Sequence, residues 1–150
     1  MDITNFINPQ SIAINITSKD KTDLITKLID LAEKSNKILD KEKVSKAIFD
    51  REQLLSTGIG DGIAIPHAKT NFVQDTICSV AILKEPIDFE SVDNKPVDIA
   101  FLLLGREQNV GSHLRILSKI SRFLCDENRL KILKNCKTSE EVINLLKEEF

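Results

Sequence analysis

The chain has 150 residues, 41% of them hydrophobic, and a formal net charge of −2 at pH 7. This length and composition are typical of one globular domain with a sizeable core, so we expect residues 1–150 to form a single domain. The small charge gives no electrostatic reason to expect nucleic acid or direct membrane binding, and Trp and Tyr, which often stack on bases, are absent.

Two further features indicate the compartment. No apolar run is long enough to span a bilayer, and the first residues lack the basic and apolar regions of a signal peptide. The three cysteines form an odd set without a Cys-x-x-Cys pair, which suits a reducing environment. We therefore expect a cytoplasmic protein, or a cytoplasmic module of a larger one.

Strands and helices are predicted to alternate along the chain. Apolar patterns predict strands at 12–16, at 76–83 and at 97–104, and the last is nearly all apolar, as in a central strand covered on both faces. Apolar faces and N-capping residues predict helices at 20–36, at 41–56, from Ser112 to about 124, after Asp126 and after Thr138. This order predicts an α/β fold, with helices packed on both faces of a mixed sheet.

The segment 51–69 carries the most informative pattern. Three glycines, which permit backbone angles and close approaches that a side chain blocks, stand at Gly58, Gly60 and Gly62. A short apolar run, 63–65, is typical of a buried strand end, and Pro66 should end its pairing. His67 is then presented at a sheet edge beside exposed amide groups. A positioned imidazole beside such donors can act as a nucleophile towards an anionic group.

Arg51 and His113 also fall on predicted apolar helix faces, where a polar group needs a partner. Each has a simpler alternative. Arg51 could pair with a carboxylate such as Asp61, and this interpretation is favoured when Arg51 is considered by itself. His113 could be a core histidine bonded to a backbone carbonyl. His67 could likewise be a solvated loop residue. Together the three offer a nucleophile, a permanent cation and a second imidazole, a set that suits phosphoryl transfer.

Other chemistries fit these residues less well. Two histidines without a Cys, Asp or Glu ligand pattern make a weak zinc site. The glycine segment lacks the Gly-Lys-Ser/Thr of a phosphate-binding P-loop, and it precedes a strand, which is the wrong order for a dinucleotide fingerprint. No Gly-x-Ser-x-Gly elbow is present.

The same residues resemble a known family. The segment 51–67 looks like the signature of enzyme IIA domains of the fructose/mannitol class (PTS EIIA type 2). It has Arg51 and Glu52, followed by Ser-Thr-Gly-Ile-Gly-Asp-Gly-Ile-Ala-Ile-Pro-His at 56–67. These domains belong to the bacterial phosphoenolpyruvate-dependent sugar phosphotransferase system. The resemblance continues through 97–104 and 113–117 and covers nearly the whole chain.

The resemblance implies a role for each site residue. His67 matches the histidine that accepts phosphate from the phosphocarrier HPr, and His113 and Arg51 match the second histidine and the arginine that assist. Thr57 and the three glycines would bind the phosphate or shape its loop. The phosphate would then pass to a cysteine of enzyme IIB, and through the membrane enzyme IIC system to the sugar. The family fold has a five-stranded mixed sheet and needs no metal or cofactor.

The partner face should surround His67 and be largely apolar, with candidate contacts Ile59, Phe72, Val110 and Leu114.

The runs 67–70 and 87–93 look more like the fructose branch than the mannitol branch, which favours a role in fructose uptake. The alternative is the nitrogen-related regulatory branch, a phosphorylated signalling protein that acts by binding partners.

Overall fold

The computed structural model describes residues 2–150, a mixed sheet with helices on both faces. The strands are β1 (Ile12–Ile16), β2 (Gly58–Gly60), β3 (Ile63–Ala64), β4 (His67–Lys69), β5 (Ile77–Ile87) and β6 (Val97–Gly105). The α-helices are α1 (Lys21–Glu33), α2 (Lys41–Leu54), α3 (Val110–Leu124), α4 (Glu127–Lys134) and α5 (Ser139–Lys147). The predicted α/β class is confirmed.

The sheet has six strands where the family resemblance implies five. The order is β1-β5-β6-β3-β2, and β4 also pairs with β6, end to end with β3. Ile63 pairs with Ile99 and His67 with Leu103, so the register continues across the interruption. Pro66 does not end the pairing as predicted, because its carbonyl still accepts a hydrogen bond from the Leu103 amide at 3.0 Å.

Strand β6 lies at the centre of two hydrophobic clusters, one on each face of the sheet. Ile99, Phe101 and Leu103 pack towards α3, α4 and α5. Ala100, Leu102 and Leu104 pack towards α1 and α2. The alternation follows from the two-residue period of a strand, and it explains why a nearly all-apolar run is required here.

Several predicted boundaries are wrong, for local reasons. Helix α2 ends at Leu54 because Leu55 is extended, and α3 begins at Val110 rather than after Ser112. Its N-cap, Asn109, makes no side-chain capping bond. The predicted loop at 105–111 shortens to 106–109, because β6 includes Gly105 and α3 begins at Val110. Among the helices of residues 2–150, none combines the length and apolar character needed to cross a membrane.

Candidate functional site

His67 is the first residue of β4, and its orientation is set by backbone hydrogen bonding. Its neighbour Ala68 packs with the α1–α2 cluster, so by alternation the imidazole lies on the α3 side of the sheet. Nδ1 lies 2.8 Å from the Ile65 carbonyl oxygen, which can only accept. The proton is therefore assigned to Nδ1, and Nε2 carries the lone pair. The ring is half-buried in a strand, so the solvated-loop alternative is wrong.

His113 lies in the first turn of α3, facing His67. Its side chain is 3% exposed, and the two ring centroids are 5.9 Å apart, with the planes inclined by 43°. The ring is therefore a core histidine, as the simpler alternative has it, but within residues 2–150 its buried Nδ1 atom has no hydrogen-bond partner, so no backbone carbonyl holds that nitrogen. The sequence placed each histidine at the end of a loop, and the fold brings the two together.

Both imidazoles are neutral at pH 7. Burial, aided by the nearby His67 and Lys69, lowers the pKa of His113 to about 4. Burial also lowers the pKa of His67, opposed by the hydrogen bond to Ile65 and aided by the charge of Arg51. A neutral His67 keeps the Nε2 lone pair that a nucleophile needs.

Arg51 completes the group from the last turn of α2. Its Nη1 donates to the Leu55 carbonyl oxygen at 3.1 Å, satisfying an open carbonyl at the helix end. Among residues 2–150, no ion pair joins Arg51 to Asp61 or to another carboxylate, so the simpler alternative for Arg51 is wrong. A cavity of about 560 Å³ is lined by Arg51, His67, His113 and also Lys69, which the sequence analysis missed.

The glycine segment is a hairpin, β2–β3, and its glycines make room for the protein's own residues. A Cβ atom on Gly58 would lie 2.3 Å from Ser91 Oγ, and one on Gly62 would lie 2.9 Å from Asp98 Oδ1. Gly60 faces Asp93 in the same way. Packing against residues 91–98 is therefore a sufficient reason for these glycines, whereas phosphate binding by them stays a prediction.

Thr57 is buried and already fully bonded. Its amide and hydroxyl both donate to the carboxylate of Glu52, at 2.7 and 2.6 Å. Thr57 and Gly58 line a second cavity of about 310 Å³ together with Arg51 and His67. Thr57 is thus near the site, but its donors are engaged by the protein.

Three of the four residues expected on the partner face are exposed, and their role in binding a partner stays a prediction. Ile59, Val110 and Leu114 are exposed, as the sequence analysis expects. Phe72 is not on this face, because it is half-buried against the α1–α2 cluster with the Lys43 ammonium 4.6 Å from its ring centroid. Exposed apolar residues that the analysis missed are Leu54, Leu55 and Val92. In the sequence, Leu54 and Leu55 form an apolar pair at the end of a polar helix, and Val92 is an isolated apolar residue in a polar loop.

Residues 5–149 match the family model described as the phosphoenolpyruvate-dependent sugar phosphotransferase system, EIIA 2. The chain belongs to this family. As an EIIA domain it is a phosphotransferase component, so the chemistry of this protein is phosphoryl transfer.

Relatives of two kinds are similar to this EIIA domain. The fructose-specific EIIABC component of the phosphotransferase system of Bacillus subtilis is 34% identical over 148 residues, which are 99% of this chain and 23% of that protein. The nitrogen regulatory protein of Bradyrhizobium diazoefficiens is 34% identical over 150 residues, 97% of this chain and 95% of its own length. The crystal structure of nitrogen regulatory protein IIA-Ntr from Neisseria meningitidis superposes with a TM-score of 0.90 at 30% identity, covering 96% of this chain and 98% of that one.

Proposed function

We propose that the protein carries a phosphoryl group on His67, received from a phosphohistidine of HPr and passed to a cysteine of an enzyme IIB domain. The observation that supports this most is the pair of imidazoles 5.9 Å apart at a cavity that Arg51 also lines. Among the ionisable groups at this cavity, His67 has a ring nitrogen free for attack and its other nitrogen held by Ile65.

The transfer follows from the tautomer of His67. The Nε2 lone pair forms a bond to the donor's phosphorus, while the bond from phosphorus to the donor's ring nitrogen breaks and its electron pair returns to that ring. A donor ring protonated on its other nitrogen leaves as neutral imidazole, so no proton is transferred. In the product, the Nδ1 proton of His67 stays on the ring and remains hydrogen-bonded to the Ile65 carbonyl oxygen.

Arg51 and His113 stabilise the transferred group. The guanidinium has donors left over after its bond to the Leu55 carbonyl, and it stays charged at every working pH. His113 is neutral at pH 7, so one of its ring nitrogens carries a proton that can be donated to a phosphoryl oxygen. Charge stabilisation of this kind supplies most of the catalysis in phosphoryl transfer.

For the acceptor, we favour a fructose-type enzyme IIB. The support is the similarity over 99% of this chain to a fructose-specific EIIABC component, together with the fructose-like runs at 67–70 and 87–93. Because that relative is much longer than this chain, its transport activity is a proposal for this protein.

The second candidate is a regulatory EIIA that signals according to its phosphorylation state. It is supported by the TM-score of 0.90 to IIA-Ntr and by the nitrogen regulatory relative that this chain spans over 95% of its length. Both candidates use the same nucleophile, and they differ in what happens to the phosphoryl group afterwards.

Incubation with phosphoenolpyruvate, enzyme I and HPr tests the nucleophile. The wild type should gain one acid-labile phosphoryl group by intact mass, and His67→Ala should gain none. His113→Ala is informative because His113 is the other of the chain's two histidines. It should still be phosphorylated, but slowly. Phosphate on His67→Ala would contradict the assignment.

The same assay tests Arg51. We expect Arg51→Ala to lower the rate about 100-fold, the usual loss for one stabilising donor, and Arg51→Lys to recover it only in part because a planar fork contacts two oxygens. Arg122→Ala is the matched control, because Arg122 is an exposed arginine on the later part of α3. Equal rates for Arg51→Ala and the control would remove Arg51 from the site.

A chase experiment separates the two candidates. Phosphorylated protein is mixed with a fructose-type IIB domain of the same genome, whose activity is first shown with another EIIA. Transfer of the label to the IIB cysteine supports the transport role. Label that stays on His67 favours the regulatory candidate.

A further inference from the structure

Glu52 is a buried carboxylate for which the proposed transfer has no use. Its side chain follows Arg51 in the last turn of α2 and is 6% exposed. Oε1 accepts from the Thr57 amide at 2.7 Å, and Oε2 accepts from the Thr57 hydroxyl at 2.6 Å. The Lys21 ammonium lies 2.9 Å from Oε1. A buried charge held by this many partners is costly to build, so its position calls for a reason.

A continuous path of hydrogen bonds leads from Glu52 to the His67 ring. Glu52 holds the amide and hydroxyl of Thr57, and the Thr57 carbonyl accepts from the Ile65 amide at 3.0 Å. The Ile65 carbonyl in turn lies 2.8 Å from His67 Nδ1. The end of α2, the start of the hairpin and the nucleophile are therefore connected by four short bonds.

We propose that Glu52 is a positioning residue for phosphoryl transfer, which holds the Ile65 carbonyl in place through Thr57 and so orients His67. This inference rests on the proposed role of His67 as nucleophile. Because Arg51 is the neighbouring residue on α2, the same anchor also sets the guanidinium relative to the imidazole.

The geometry explains why a carboxylate is needed here. Each of its oxygens faces a donor of Thr57, and Lys21 is a third donor, so every neighbour donates. A glutamine amide of equal size loses the negative charge that faces the Lys21 ammonium, and its NH₂ group is satisfied only if the Thr57 hydroxyl turns from donating to accepting. Lys21 is itself held in place, with its ammonium 4.8 Å from the Phe89 ring centroid.

Glu52→Gln is the first test. We expect the transfer rate at saturating phospho-HPr to fall about 10-fold to 100-fold, as misplaced reacting groups typically cause. The phospho-HPr concentration at half-maximal rate should stay near the wild-type value, since the exposed apolar face is untouched. Glu42→Gln is the matched control, because Glu42 is an exposed glutamate in the first turn of the same helix.

Two further measurements distinguish positioning from general destabilisation. In the ¹⁵N spectrum, the His67 ring should change from one Nδ1-protonated tautomer in the wild type to a mixture in Glu52→Gln. In a double-mutant cycle, Thr57→Val should slow transfer, and Glu52→Gln/Thr57→Val should be no slower than the worse single variant, since both break one path. If Glu52→Gln fails to fold by circular dichroism, Thr57→Val carries the rate and ring measurements alone.

A wild-type rate, an unchanged tautomer or additive losses in the cycle would each overturn the inference. The ring measurement needs no phosphoryl donor. A wild type that accepts no phosphate would therefore contradict the proposed function, while the tautomer would still decide whether Glu52 orients His67.

Discussion

At the level of single residues, the bond between His67 Nδ1 and the Ile65 carbonyl decides the chemistry of the site. It leaves Nε2 as the nitrogen without a proton, and burial of both rings keeps them neutral. In the proposed transfer, the positive charge near the phosphoryl group would then come from Arg51, with Lys69 on the same cavity. The two rings are thus neutral and the positive charge lies on other residues, an assignment that can be tested by changing the pH.

The titration of the two histidines should differ from that of free histidine. We expect a midpoint below 6.5 for His67 and about 4 for His113, read from ring proton shifts, with His67→Ala assigning the signals. Phosphoryl uptake should fall as pH drops through the His67 midpoint, because protonation removes the lone pair. A midpoint for His113 at or above 6.5 would contradict its burial.

The lowered pKa of His113 predicts a loss of stability in acid. The pKa of His113 is about 4 when folded and near 6.5 when unfolded, so between these values the unfolded chain binds more protons. The free energy of unfolding should therefore decrease as pH falls from 6.5 towards 4, by up to about 3 kcal/mol for this residue. Urea unfolding of the wild type and of His113→Gln across this pH range isolates the contribution of His113, because the variant should lose less stability as the pH falls.

At the level of elements, the β2–β3 hairpin is held from both sides. Glu52 anchors its start through Thr57, and residues 91–98 pack against its glycines. The turn itself is made by Asp61 and Gly62, which both have positive φ, the backbone that suits a two-residue hairpin turn. The hairpin is therefore a rigid support for His67 and not a free loop.

Two glycine substitutions should have opposite effects on stability. Gly58→Ala places a Cβ 2.3 Å from Ser91 Oγ and 2.9 Å from its Cα, so we expect a clear drop in melting temperature. Gly111→Ala meets nothing within 4 Å and lies in the first turn of α3, so it should stabilise by about 0.5–1 kcal/mol. Equal stability of the two variants, measured by thermal unfolding, would contradict this packing.

At the level of the whole molecule, exposed apolar side chains from four regions surround the His67 cavity. They come from the end of α2, the hairpin, the 88–96 loop and the start of α3. If His67 carries the phosphoryl group as we propose, donor and acceptor must both reach Nε2, so HPr and the IIB domain should compete for this face. Such relay encounters are brief, and a small apolar face suits them.

Leu114 provides a test of this face. Its side chain is 58% exposed on α3, and Leu114→Ser should raise the phospho-HPr concentration at half-maximal rate by roughly five-fold, with the saturating rate changed less. Ile132→Ser is the control, since Ile132 is a similarly exposed apolar residue, 54%, on α4. If both variants behave alike, docking occurs elsewhere.

The sequence by itself determined the features that depend on local pattern. The alternating and continuous apolar runs predicted β1, β5 and β6, and capping residues such as Asp40 and Thr138 predicted helix starts that the structure confirms. The candidate residues His67, Arg51 and His113 were also found in this way, because each departs from an apolar pattern or follows a constrained backbone.

Only the tertiary structure decided what depends on partners distant in the chain. Strand β4 is three residues long and becomes a strand by pairing with β6, so no local period could reveal it. The glycines of the hairpin match Ser91, Asp93 and Asp98, some thirty residues later, and the buried Glu52 looked like any polar residue at a helix end. The contact between His67 and His113 likewise joins a strand to a helix, and its physical cause is the packing of α3 on the sheet.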